Sequence, residues 1–239
     1  KAGILKEGCP VISYDNGDEV NAVIEAAARE KHCPIEFVNS AGIRVLSQNL
    51  NEQSFAYRSS RGRFYEKIEI PLLGSHQIPN AVTALEVLEI IKNYYCISEF
   101  QTEEGFRNTI WRGRLEKLSD HPLIFCDGAH NPDGAARLAE FLENNFTNRR
   151  IIYIIGVLAD KEYEKMIETT AKFANRIYTV APDNERALSS RELAFAVRKY
   201  HTDVQERSRL ASCLEEVKKE AGEEDVIVIF GTLSFQKEL

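Results

Sequence analysis

Leu123-Ile-Phe-Cys-Asp-Gly-Ala-His-Asn-Pro-Asp-Gly134 turns a strand into a helix within a few residues. Leu123–Cys126 is a short, wholly apolar run, the pattern of a strand covered on both faces. Asn131 is a strong N-cap, Pro132 suits the first helical position, and Asp133 favours the positive end of the helix dipole. Gly128 permits the tight turn between strand and helix. The helix so started is expected over Asp133–Phe146.

Towards the C-terminus the same alternation continues. Strand Ile151–Ile155, helix Glu162–Ala174, strand Ile177–Val180 and helix Ser190–Tyr200 follow one another. A strand near Val204, helix Arg209–Ala221 and strand Val226–Phe230 complete the series. Strands alternating with helices of this length build a parallel sheet covered on both faces. Residues 112–239 are therefore expected to form an α/β domain on a parallel sheet.

The N-terminal part reads as mixed α/β. Pro10–Tyr14 and Pro34–Val38 are strand candidates around a helix over Asp18–Lys31. Ser54–Arg58 and Phe64–Ile70 alternate like antiparallel strands, with Ser59–Gly62 as their turn. Helices are expected at Pro79–Asn93, whose apolar residues recur at helical spacing, and at Thr102–Thr109. Trp111-Arg-Gly-Arg114 separates the two patterns, which sets the boundary at residues 1–111 and 112–239.

The 239 residues are 44% hydrophobic and 28% charged, a globular rather than a disordered balance. A net charge of -7 with interspersed signs argues against nucleic acid as a partner. No apolar run approaches the roughly 20 residues that span a bilayer, so no membrane partner is expected. The five cysteines are scattered without a C-x-x-C pair, which fits free thiols in a reducing cytoplasm. Met166 is the only methionine, so Lys1 is expected to be preceded by further sequence.

In parallel sheets ligands bind beyond the carboxyl ends of the strands. Three stretches fall there: the DGAHNPDG string, Gly156-Val-Leu-Ala-Asp-Lys-Glu162 and Gly231-Thr-Leu-Ser234. Helix initiation accounts for Asn131, Pro132 and Asp133 but not for Asp127 and His130. Both are expected to point into the crevice, Asp127 as an acceptor for a hydroxyl or ammonium, His130 as a donor to an anion. Arg114 can hold a phosphate through paired hydrogen bonds, or be a solvated linker arginine. Trp111, the only tryptophan, suits a packing anchor better than a ligand platform. Asn80, near the start of a helix, suits either a cap or a contact to adenine or phosphate. No G-x-x-x-x-G-K-[ST] loop occurs, so this chain alone is not expected to be a complete ATP enzyme.

Taken in order, KAGILK, the Leu72–Ala81 helix entry, WRGRLE, DGAHNPDG, GVLADKEY, APDNERAL and GTLS resemble the folylpolyglutamate synthase/dihydrofolate synthase family, relatives of the muramyl-peptide ligases. The resemblance implies the tail of a central ATP-binding α/β domain followed by a Rossmann-like glutamate-binding domain. It implies an ATP-dependent ligase that adds L-glutamate to folate or dihydropteroate through an acyl phosphate, with ATP and Mg2+ as cofactors. It also implies a monomer. Asn80, Arg114 and Asp127 would then contact ATP, and His130 and Thr232 would contact glutamate. Asp127 and His130 would carry the catalytic role. Lys1 would be N-carboxylated near Mg2+. Thr232 stands where the family has serine, and Arg112 stands where it has proline, giving up a fixed backbone angle. A muramyl-peptide or cyanophycin-type ligase and a non-catalytic α/β binding module are the alternatives.

Overall fold

The computed structural model describes residues 2–239, so Lys1, the expected metal-side lysine, lies outside the described residues. The chain divides into two compact units. One runs to Pro71 and resumes over Ser75–Thr109, and the other comprises Leu72–Gly74 and Ile110–Leu239.

In the first unit β1 (Val11–Ser13) and β2 (Ile35–Phe37) pair in parallel, joined through α1 (Asp18–Glu30). An antiparallel sheet follows, β3 (Ile43–Gln48), β4 (Gln53–Arg58) and β5 (Phe64–Ile70), in that spatial order. β3 escapes a reading of alternation because it is an edge strand with mostly exposed side chains. α2 (Gln77–Ile91) starts two residues before Pro79, which its first turn accommodates because those N–H groups have no intrahelical partner. α3 (Glu99–Arg107) begins three residues earlier than the periodicity suggests. Ser98 and Gln101 form a reciprocal capping box there, with Ser98 Oγ accepting the Gln101 N–H at 3.1 Å. Glu86 of α2, only 1% exposed, accepts from the Tyr57 hydroxyl and from the Ser60 N–H and hydroxyl at 2.7 and 2.9 Å. This buried carboxylate, satisfied by three donors, fastens α2 to β4 and to the turn that follows it.

The second unit is built on one six-stranded sheet. Its elements are β6 (Glu116–Asp120), β7 (Leu123–Asp127), α4 (Pro132–Phe146), β8 (Ile151–Ile155), α5 (Tyr163–Thr170), β9 (Arg176–Thr179), α6 (Ser190–Val197), β10 (Val204–Glu206), α7 (Leu210–Glu220) and β11 (Val226–Phe230). A terminal 3-10 segment, Leu233–Lys237, follows. The spatial order is β10-β9-β8-β11-β7-β6, parallel except for β6, which runs antiparallel to β7. The expected all-parallel sheet therefore gains an antiparallel edge strand.

Connections from β7 to β10 all step the same way across the sheet, and the return to β11 steps back between β7 and β8. Right-handed crossovers then put α4, α5 and α6 on one face and α7 on the other. Side-chain packing agrees. Phe125 contacts Phe141 and Phe146 of α4 at ring separations of 5.5 and 5.7 Å. Ile124, Ile152, Ile154, Ile227 and Ile229 pack with Leu210, Cys213 and Val217 of α7. Covered on both faces, β7, β8 and β11 are buried at every position, which is why their sequences show no polar alternation. Among the described residues no helix is long and apolar enough to cross a membrane.

Two outcomes follow from this core. Phe125→Ala removes a fully buried ring from the α4 face and should destabilise the second unit by about 3–5 kcal/mol in chemical denaturation. Cys9 and Cys96 are exposed, whereas Cys33, Cys126 and Cys213 are buried. Burial pushes the thiols of Cys126 and Cys213 up to about 12. At about pH 8 iodoacetamide should label Cys9 and Cys96 and spare the three buried cysteines in the folded chain, as read by peptide mass spectrometry.

Candidate functional site at the carboxyl end of β7

β6 begins where β7 ends, since Glu116 pairs with Cys126 across the antiparallel ladder. The Trp111–Arg114 stretch is thereby delivered to the same sheet edge as the DGAHNPDG string. The turn that delivers it has two unusual residues, Gly113 at φ +66° and Leu115 at φ +47°. A left-handed leucine is costly, and here it is held from both sides. Its side chain is 2% exposed, and its N–H donates to Asp127 Oδ2 at 2.8 Å.

Asp127 Oδ1 accepts the Ala129 N–H, also at 2.8 Å. With 7% exposure and both oxygens turned to backbone, Asp127 is not the crevice-facing acceptor expected from the sequence. The reason is local: a carboxylate at a strand end, flanked by two turns with unpaired amides, satisfies those amides before any ligand. Burial is the dominant influence on its carboxyl and raises its pKa, against the two N–H donors and the charges of Arg114 and His130.

The Gly128 N–H donates to Gly113 O at 2.7 Å, closing the two loops on each other. A Cβ on Gly128 would meet Leu233, so glycine is required for close approach. The Gly113 N–H donates to Glu116 Oε2 at 2.8 Å, and the Gln236 side-chain amide donates to Arg112 O. Asn131 caps α4 by accepting the Gly134 N–H at 2.8 Å, and Pro132 occupies the first turn, as the sequence indicated.

His130 is half-buried. Its Nδ1 lies 2.8 Å from Gly128 O, and facing a carbonyl it must donate, which leaves Nε2 free to accept or, when protonated, to donate. Arg114 is half-buried and makes no hydrogen bond or ion pair among the described residues. Arg114 and His130 are thus brought to one edge with their polar groups unspent.

Thr232 also reaches this edge, but its hydroxyl accepts the Ser234 N–H at 3.1 Å and caps the terminal 3-10 segment. At 4% exposure it differs from the expected glutamate-facing hydroxyl. The loops after β8 and β9 are stitched by the Leu158–Ala187 bridge and by Arg186 to Asp160 at 3.2 Å. Asn184 Nδ2 donates to Ser234 Oγ at 3.4 Å, tying that wall to the GTLS loop. Nothing local in the sequence signals the Asn184–Ser234 pair. The Gly113–Glu116 bond does have a signal, an acidic residue three positions after a turn glycine.

Asn80 belongs to the first unit. It is exposed in the first turn of α2, beyond the cap position, and its amide donates to Gln77 Oε1 at 3.0 Å. Trp111 is 62% exposed, so it is not the packing anchor its rarity suggested. Among the described residues no group of three His, Cys, Asp or Glu could hold a metal ion, and Asp127 has its oxygens committed.

Asp127→Ala strips the acceptor from two buried N–H groups, each worth about 1–3 kcal/mol. The variant should lose stability on that scale and show faster hydrogen exchange at Leu115 and Ala129. Unchanged exchange at both amides would contradict the tether.

Residues 113–233 match the model of the Mur ligase glutamate ligase domain, 121 of the 239 residues. The chain is 29% identical to a dihydrofolate synthase/folylpolyglutamate synthase of Bacillus subtilis (strain 168), over 98% of this chain and 55% of that protein. It is 32% identical to a folylpolyglutamate synthase of Lacticaseibacillus casei, over 79% of this chain and 44% of that protein. Two solved structures are similar. One is a folylpolyglutamate synthase from Thermotoga maritima, with TM-score 0.80 and 26% identity over 99% of this chain and 55% of that one. The other is the Mycobacterium tuberculosis folylpolyglutamate synthase complexed with ADP, with TM-score 0.83 and 25% identity over 98% and 55%. The chain spans about half the length of the curated relatives it matches. With half of its residues inside that family model, this chain belongs to the Mur ligase family and carries its glutamate ligase domain.

Proposed function

We propose that this chain supplies the amino-acid-binding part of an ATP-dependent ligase that joins L-glutamate to folate or dihydropteroate. The observation that carries the reading is the pairing of Arg114 and His130, two side chains with unspent polar groups fixed one residue outside the amides that Asp127 clamps. Glutamate brings an ammonium and two carboxylates, and ATP and an acyl phosphate bring phosphate oxygens, so a guanidinium and an imidazole suit both reactants.

In this reading the terminal carboxylate of the folate is activated as an acyl phosphate at the expense of ATP. His130 Nε2 takes a proton from the glutamate ammonium, because Nδ1–H is held by Gly128 O. The freed amine attacks the acyl carbon, the C–N bond forms, the C–O bond to phosphate breaks, and phosphate leaves with the electron pair, taking up the second proton that the nitrogen sheds as it becomes an amide. Arg114 neutralises the charge on that departing group. Asp127 acts through the two turns rather than on the reactants, and Thr232 acts through the cap it makes. Asn80, exposed at the start of α2, serves as the ATP contact of the first unit. Mg2+ would screen phosphate charge in such a reaction, and the steps assigned to this chain do not pass through it.

In the whole protein that carries this chain, His130→Ala should lower kcat for glutamate addition by about a hundredfold or more with folding intact by circular dichroism. Wild-type turnover in that variant would remove His130 from the site. Arg114→Lys keeps the charge but loses the planar fork, and should raise the KM for ATP or lower kcat by about tenfold. Ligation of a muramyl peptide with no activity on folate would replace the folate reading.

A further inference from the structure

The second unit contains a cavity of about 550 Å3 on the α7 side of the sheet, beside edge strand β6. That volume lies within the range of small-molecule sites, roughly 300–1,000 Å3. Its lining is mixed: Leu118 and Ile124 on the sheet side, Leu214 of α7 and Leu239 supply the apolar part, beside the polar Glu116, Ser119 and Gln236. Two cations border it, Arg112 and Lys218. Arg112 makes no ion pair among the described residues, and Lys218 has only a surface pair with Glu215 at 3.1 Å. Such an exposed pair is weak and yields readily to a better partner. The one acidic residue at the cavity, Glu116, spends an oxygen on the Gly113 N–H.

Three residues of the cavity wall also hold the turn that carries Arg114. Glu116 binds the Gly113 N–H, Gln236 binds the carbonyl of Arg112, and Arg112 adjoins Gly113. Gly113 O in turn receives the Gly128 N–H of the DGAHNPDG loop. A molecule lodged in the cavity would press on the residues that fix both loops, from behind the crevice.

We propose that this cavity is a binding site for a small organic carboxylate with an apolar body, and that its occupancy stiffens the Gly113–Gly128 junction. The apolar part rests against Leu118, Leu239 and the edges of Ile124 and Leu214, and the carboxylate takes the guanidinium of Arg112 and the ammonium of Lys218. A neutral analogue gains the apolar contacts but not the charge-assisted bonds, so charge decides selectivity. The site does not rest on the ligase reading, because its recognition is independent of Arg114 and His130.

The test is calorimetric titration of the whole protein with 1-naphthoate, alongside 1-naphthamide as the uncharged control. Saturable binding of the carboxylate, at least about tenfold tighter than the amide, is expected. Arg112→Gln with Lys218→Gln should weaken naphthoate by at least about tenfold and leave naphthamide unchanged. Bound naphthoate should slow hydrogen exchange at the Gly113 and Gly128 amides. Absence of saturable naphthoate binding, or equal affinity for acid and amide, overturns the carboxylate site. Binding that survives the double substitution moves it elsewhere on the molecule, and unchanged exchange refutes the coupling. Ser119→Trp, which places an indole at the cavity wall, should block naphthoate if the site is as assigned.

Discussion

One carboxylate holds the site together. Asp127 bridges the N–H groups of Leu115 and Ala129, residues that are adjacent in space only because β6 enters antiparallel to β7. Arg114 precedes the first amide and His130 follows the second, so clamping the amides fixes the origins of both side chains. Burial opposes ionisation of this group, and the two N–H donors with the nearby Arg114 and His130 charges oppose that effect. The balance explains why so polar a residue can end an otherwise apolar strand. Losing the carboxylate would leave a left-handed leucine with nothing to hold its N–H.

The sheet order decides where the site opens. Inserting β11 between β7 and β8 sends the chain after β7 to one face and the terminal segment after β11 to the other. Loops that leave adjacent strands in opposite directions open a crevice between them. Gly128 and Leu233 meet at its base, and the wall of Asn184 and Ser234 flanks it. Thr232 and Asp127 have become part of this frame, while the side chains left unspent are Arg114 and His130.

The frame has two sides. Towards the crevice it presents Arg114 and His130, and towards α7 it backs onto the cavity bordered by Arg112 and Lys218. Arg112, Glu116 and Gln236 are shared by both, since they hold or carry the turn and also line the cavity. The junction therefore has little slack: a shift at Gly113 must move Gly128, whose amide it accepts at 2.7 Å. Arg112 replaces the proline that the family resemblance implies, and so adds a cation where a fixed backbone angle was expected.

The sequence by itself determined the alternation of buried strands and helices after Leu115, and the cap at Asn131 and Pro132. Those features are local: hydrophobic period and side-chain-to-backbone bonds within one turn suffice to read them. It also singled out Asp127 and His130, because helix initiation leaves both unexplained, and Arg114, as a linker guanidinium able to hold a phosphate. β3 and β6 were not legible, since their side chains are exposed or half-buried and show no alternation of burial. Only the tertiary structure turned Asp127 from a ligand acceptor into a clamp and Thr232 into a cap. Whether a polar atom is free depends on which amide the fold brings to it, and in Asp127 one such partner comes from a separate loop 12 residues away.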